Sequence, residues 1–394
     1  MSDFSVIVYA KRTAIGKFNG SFSEVSAPML SASLVKDALM TSKLKSSLVD
    51  ELIMGQVLTA GCGQAPARQA AIYGGLDNSV PCTTVNKVCG SGLKAVILAD
   101  QAIRAKDAQV IFAGGQENMS RSPHLLLNSR AGLGFGNKEL VDHMQIDGLW
   151  DPYENVGMGY CGELCAKEYD FTREQQDEYT RISYERAQKS WEKERFVKEV
   201  IPIQAKHGKN YTFVEKDEEP FRVKFDKIAS LKPAFKKDGT ITAANASSIS
   251  DGAALLMLMS AKKAKELSLK PLARVIASQS FAHEPSWFTT APVEGIIECI
   301  KKSSLTLKDI SLFEINEAFS VVPMHAIKAL SLSHKFVNPM GGAISLGHPI
   351  GCSGARILVT LLNALNLQKE RFGCASICIG GGESNTMILE NLRL

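Results

Sequence analysis

Thr84–Asp100, TVNKVCGSGLKAVILAD, passes from a β-branched run through a glycine pair into an apolar helical pattern, with Cys89 at the joint. The pattern predicts a strand, a tight turn and a helix start. Three readings of Cys89 fit. It is a packed thiol at a crowded turn, since free cysteine is among the most buried residue types; or part of a dinucleotide loop; or a nucleophile. Gly90-Ser91-Gly92-Leu93-Lys94-Ala95 matches GxGxxA, but a dinucleotide site needs an acidic residue ending the next strand. That strand, QVIFAGG (109–115), ends in glycines, which removes the second reading. The nucleophile reading draws on the helix start, whose unpaired N–H groups and dipole lower a thiol pKa. It also draws on Gly90 and Gly92, which would let a substrate approach the backbone.

Working outward, the same pattern recurs. VCGSGLKAVILA (88–99) corresponds to IGCSGARILVTL (350–361), and VIFAGGQEN (110–118) to SICIGGGESN (376–385). Two matched pairs in the same order imply an internal duplication, two βαβ-type halves with a site between them where helix starts converge. Strand-like and helical runs alternate up to residue 118, which argues for an α/β layered architecture. From 119 to 249 the texture changes to SRSPHLLLNSR, AGLGFGN, a polar helix TREQQDEYTRISYERAQKSWEKE and a lysine-rich run. The expected organisation is a first half over 1–118 plus 250–270, an inserted loop domain over 119–249, and a second half over 271–394.

The 394 residues, 45% apolar and 22% charged with net charge +4, suit an ordinary globular protein. They lack the basic stripe of a nucleic-acid binder. Nine scattered cysteines suggest free thiols in a reducing compartment, and no histidine cluster completes a zinc set. The N-terminal residues show no apolar signal segment, and apolar runs such as AALLMLM (253–259) are too short to span a bilayer. The final LRL only faintly resembles a peroxisomal SKL. The expectation is a cytoplasmic protein with neither nucleic-acid nor membrane partners.

Two further segments bear on Cys89. Gly347-His348-Pro349-Ile350-Gly351 places a histidine in a rigid turn before the second helix start. It is either a hydrogen-bonded turn residue or a base for a thiol near neutral pH. Cys378-Ile379-Gly380-Gly381-Gly382 places another thiol at a strand end, followed by glycine N–H groups; alone, it reads as core.

NKVCGSGLKA (86–95), NEAF (316–319), GGAISLGHPIGCSGAR (341–356) and CIGGG (378–382) together resemble the thiolase family. So do AGCGQAPARQA (60–70), AGGQENMS (113–120) and TAANASSISDGAA (242–254), so the resemblance runs along essentially the whole chain. Within the family it is nearest the acetyl-CoA acetyltransferases, or acetoacetyl-CoA thiolases. The resemblance implies a thiolase-like α/β fold, its two halves forming an α/β/α/β/α core. It implies reversible condensation of two acetyl-CoA to acetoacetyl-CoA and CoA, the alternative being a broader 3-ketoacyl-CoA thiolase. A ketoacyl synthase would carry a histidine in place of Asn316.

By this resemblance Cys89 is the nucleophile, His348 activates it and protonates the departing CoA sulfur, and Cys378 is the second acid/base. Asn316, through a water, and His348 would hold an enolate oxygen, and the N–H groups of Cys89 and Gly380 the tetrahedral intermediate. Ser247 is expected at the pantetheine, Tyr184 and Lys227 near the nucleotide end, and Met158 and Phe319 in the pocket wall, with Trp287 and Phe288 closing a short acyl pocket. No cofactor beyond the CoA thioesters is implied except potassium, for which Tyr184, Ala243, Ala244, Ala246 and Ile344 are the expected ligands. A homotetramer is the expected assembly. Two departures stand out: Gly157 replaces a histidine before Met158-Gly159, and Glu383-Ser384 stands where small glycines are more usual.

Overall fold

The first half of the chain builds a sheet, and the second half builds it again. A computed structural model describes residues 4–207 and 210–394. Its first half runs β1 (Ser5–Thr13), α1 (Ala27–Ser42), β2 (Glu51–Gly55), α2 (Pro66–Gly74), β3 (Cys82–Val85), α3 (Ser91–Ala105) and β4 (Val110–Asn118). Residues 119–249 then leave the sheet, except for Val200–Ile201, which pairs in parallel with the end of β1, and carry α4 (Met158–Glu168) and α5 (Arg173–Glu192), before β5 (Ser250–Ser260) returns to it. The second half runs β6 (Ala273–Ala282), α6 (Ala291–Ser303), β7 (Leu312–Ile315), α7 (Val321–Ala329), α8 (Ala343–Leu346), α9 (Ile350–Gln368), β8 (Phe372–Ile379) and β9 (Glu383–Asn391).

The first sheet has the order β3-β2-β4-β5-β1, with β2 parallel to β3 and β4, and β5 antiparallel to β4 and β1. The second has β7-β8-β9-β6, with β7 and β8 parallel and β9 antiparallel to both its neighbours. The counterpart of β3 survives as a single parallel bridge, Phe313 to Val337. The halves join edge to edge where β1 meets β6 at Val6–Arg274 and Ile7–Ala273.

Helices α3 and α9 pack on each other between the two sheets, α1 and α2 cover the first sheet, and α6 covers the second, giving five layers. A strand covered on both faces reads as a largely apolar run. Every residue of β4 and β5 is buried, and their polar residues, Gln116, Glu117, Asn118, Ser250, Asp251 and Ser260, fall at the strand ends. Helix α9, 19 residues long and apolar, has the length and composition to cross a membrane, contrary to the expectation from apolar runs. It is instead buried as the central helix of the molecule. Helices α3 and α9 approach closely because both start with glycines. A Cβ on Gly354 would lie 2.5 Å from the Leu93 amide nitrogen, and one on Gly92 2.9 Å from that of Ala355.

Candidate active site

The turn before α3 is strained. Val88, a β-branched residue, has φ of +45°, a conformation that costs about 1–3 kcal/mol and persists only where its surroundings impose it. Here they do. The Val88 N–H donates to Asn86 Oδ1 at 3.0 Å. Ser91 Oγ accepts from the Lys87 N–H at 2.8 Å and donates to the Val88 carbonyl at 2.6 Å. Cys89 follows, half-buried, with the Gly380 N–H reaching its sulfur from the other half.

Burial pushes the Cys89 thiol up to about 11, against the opposing pull of the Gly380 and Cys89 N–H groups. The helix start was expected to lower this pKa; the second half covers it, and loss of water outweighs the backbone dipoles. The nearby glycines also differ from expectation. A Cβ on Gly90 would strike Ile379, and Gly92 faces α9. Both serve contact between the halves rather than access for a substrate.

His348 lies in the turn between α8 and α9, its N–H donating to the Ser248 carbonyl at 3.1 Å. Its Nδ1 is 2.6 Å from Ser353 Oγ, and that hydroxyl donates to the Pro349 carbonyl at 3.0 Å. A hydroxyl has one proton, so Ser353 accepts from Nδ1–H and Nε2 is left with its lone pair. Nε2 lies 3.5 Å from Asn316 Nδ2. Burial first, then the Arg356 charge, pulls the imidazole down to about 3. His348 is a neutral base with a fixed tautomer, and no sequence signal short of pairing the two helix starts pointed to Ser353.

Asn316 follows β7, its N–H donating to the Ser376 carbonyl at 3.0 Å. Its side chain is fully buried, and Oδ1 has no partner among the described residues, an open acceptor beside His348. Cys378, near the end of β8, is buried; burial and then the Cys89 sulfur hold its thiol well above the usual range. Two buried carboxyls frame the site. Glu117 accepts from the amides of Val57, Leu58 and Gly351 at 3.0, 3.2 and 2.9 Å, tying the start of α9 to the first half. Glu317 accepts from Tyr179, Ser183, Asn338 and the Ile344 amide at 2.9, 2.8, 2.8 and 3.1 Å, fastening α5 of the insert to α8.

These elements enclose a cavity of about 510 Å³. Of the residues expected at the site, Cys89, His348, Gly380, Met158, Phe319, Ser247, Ala243 and Ala246 line it, as does Phe288. Asn316 and Cys378 are buried and outside the lining. Tyr184 is buried away from the cavity, packs with Ile344, and donates to Glu219 at 3.2 Å. Glu219 itself lines the cavity. Lys227 lies exposed on a short helix (Phe225–Ile228), outside the lining. The basic residue on the wall is Arg222, paired to Glu219 at 3.0 Å, and Phe235 joins the apolar wall. A second groove of about 610 Å³, against Tyr169, Glu178 and Lys328, contains none of the expected residues.

Residues 5–262 match the family model of the thiolase N-terminal domain, and 269–391 that of the thiolase C-terminal domain. The chain is 48% identical over 386 residues to the acetyl-CoA acetyltransferase of Yarrowia lipolytica, covering 98% of this chain and 96% of that one. It is 47% identical over 387 residues to that of Cupriavidus necator, covering 98% of each. The Acat5 thiolase from Ascaris suum, solved in complex with coenzyme A, superposes with a TM-score of 0.93 at 42% identity, covering 99% of this chain and 100% of that one. The acetyl-CoA acetyltransferase of Bacillus anthracis gives a TM-score of 0.97 at 36% identity, covering 99% of each. In both halves of its sequence and in its duplicated fold, the chain belongs to the thiolase family.

Proposed function

We propose that the protein is an acetyl-CoA acetyltransferase, joining two acetyl-CoA into acetoacetyl-CoA and CoA and running the reverse thiolysis. The observation that carries this is the meeting, in one cavity, of the Cys89 sulfur, the Gly380 N–H that reaches it, and the neutral His348. In the first half-reaction Cys89 Sγ attacks the thioester carbonyl, and its proton passes to His348 Nε2. The carbonyl oxygen becomes an oxyanion held by the Cys89 and Gly380 N–H groups. The C–S bond to CoA then breaks, and His348 protonates the leaving sulfur. Removing one donor from such a hole costs about 10²–10³ in rate.

In the second half-reaction the Cys378 thiolate takes a proton from the methyl of a second acetyl-CoA. An α-proton of this kind leaves only if the enolate oxygen is stabilised as it forms. Asn316 supports that role through a water that donates one hydrogen to its open Oδ1 and the other to the enolate oxygen, and His348 adds a donor there when Nε2 is protonated. The enolate carbon bonds to the acetyl carbon, the bond to Cys89 breaks, and Cys378 returns the proton to the Cys89 sulfur.

Met158, Phe235, Phe288 and Phe319 wall the cavity and support a short acyl group. Ser247 and Arg222 on the same wall support binding of the CoA chain and its anionic end. For potassium, a hydroxyl and backbone carbonyls are the oxygen donors a hard cation takes. Tyr184 and Ile344 pack together, and Ala243 and Ala246 line the cavity. A rise in melting temperature with potassium but not sodium would support that site.

Mixing the protein with acetyl-CoA and mapping peptides by mass spectrometry tests the main reading. An acetyl group on Cys89 is expected, and no adduct there overturns it. Thiolysis of C4 and C16 ketoacyl-CoA tests the substrate range, comparable rates overturning the short-chain reading.

A further inference from the structure

Cys89 and Gly380 come from different halves, so the N–H that meets the sulfur depends on how two loops dock. The nucleophile turn is closed by Asn86 and Ser91 of its own segment, but against strain, and the glycine loop has still less restraint of its own. In the C-terminal loop Gly381 and Gly382 have φ of +92° and +81°, a turn with little conformational restraint of its own. On the nucleophile side Val88 holds a strained φ, which favours relaxation of the turn if its supports weaken. Besides the Gly380 N–H on the sulfur, three side-chain contacts among the described residues join the loops. Ile379 packs over Gly90, Asn385 Nδ2 donates to the Gly90 carbonyl at 3.3 Å, and Lys87 Nζ pairs with the Glu383 carboxylate.

The third contact has a special position. Lys87 lies two residues before Cys89, and Glu383 three after Gly380, so the pair closes a ring around the sulfur and the N–H. Each partner is anchored separately. The Lys87 N–H is held by Ser91 Oγ, and the residue after Glu383, Ser384, is buried with its Oγ donating to the Ala291 carbonyl at 2.8 Å. From the far side the Gly382 carbonyl accepts from the His283 N–H at 2.9 Å. Glu383 therefore has a fixed base from which to pull on Lys87.

We propose that Lys87 and Glu383 are positioning residues: their ion pair clamps the nucleophile turn to the glycine loop and holds the Gly380 N–H on the reacting sulfur. The pair is not a main source of stability. Its side chains are 22% and 32% exposed, and ion pairs open to solvent contribute little. Geometry at a reacting centre is far more sensitive, since a displacement of about 1 Å costs on the order of 10²-fold in rate.

This inference rests on the proposed acylation of Cys89, so the experiment reads that step directly. Cys89 acetylation is followed by rapid-quench mass spectrometry in wild type, E383Q, K87E and the charge swap K87E/E383K, each with its melting temperature and its KM for acetyl-CoA. The single variants are expected to acetylate about tenfold more slowly, with KM nearly unchanged and a melting temperature lowered by no more than about 4 °C. The swap is expected to recover most of the loss, which a purely structural role would not produce, and wild type to slow as salt is raised. Wild-type acetylation rates in E383Q, or a swap no faster than K87E, would overturn the clamp. Failure of wild type to acetylate at Cys89 would overturn the parent reading instead.

Discussion

The starts of α3 and α9 carry the same Ser–Gly pair, Ser91–Gly92 and Ser353–Gly354, and the two hydroxyls do different jobs. Ser91 closes the strained turn that presents Cys89. Ser353 takes the Nδ1 proton of His348 and leaves Nε2 free. The place of Cys89 is taken in the second copy by Gly351, whose N–H is held by Glu117. Cys352, one residue on, is fully buried outside the cavity, its thiol pushed up to about 12 by burial. The Cys89 thiol is raised as well, so neither helix start makes its cysteine acidic. What separates the two thiols is access to the cavity and to a base.

The comparison breaks first at the cysteines. Cys89→Ala should lower thiolysis by about 10³-fold or more, whereas Cys352→Ala should stay within about twofold of wild type; equal losses would mean that both helix starts are functional. Next come the histidine and its support. His348→Asn should slow acetylation by about 10²–10⁴-fold, and Ser353→Ala by about tenfold with KM little changed, because the imidazole loses its fixed tautomer. A Ser353→Ala enzyme with wild-type kcat would remove the positioning role of that hydroxyl.

The pH dependence sharpens the same point. The folded His348 is depressed to about 3 against an ordinary value of 6.5, so between these values the unfolded chain binds a proton that the native state does not. Stability from this group is complete above about 6.5 and is lost as pH falls towards 3. Urea midpoints of His348→Asn should therefore decline less than wild type between pH 6.5 and 4. Wild-type acetylation should show no inflection near 6.5. The smallest change concerns the contact between the copies. Gly354→Ala, whose methyl meets the α3 backbone, should cost about 1–3 kcal/mol in urea unfolding.

Much of this was legible in the sequence because the two halves repeat the same motifs at similar offsets. Pairing VCGSGLKAVILA with IGCSGARILVTL gives the duplication, and the family motifs bring Cys89, His348, Asn316, Cys378 and Gly380 to one region. What the sequence hid depends on the other half. The rise in the Cys89 pKa comes from burial, to which Ile350 of the other half contributes beside Leu58, Met119 and Met144, so a rule about helix starts gives the wrong sign. Ser353 resembles any helix-start serine until His348 is seen against it. The resemblance placed Lys227 near the nucleotide end of CoA; it lies exposed outside the cavity lining, and the wall itself carries Arg222, which no motif singled out. The reduction of the second copy of β3 to one bridge at Val337 leaves no periodic signal at all.

The clasp at Glu317 has a consequence for how substrates arrive. One carboxylate gathers donors from α5 of the insert, from Asn338 and from α8, all buried. A buried charge stripped of its partners is among the costliest states a protein can visit. Swinging the insert off the core as a hinged door would carry that cost. The insert is a masonry wall, and the cavity reaches solvent where its lining is most exposed, beside Arg222 and Phe235.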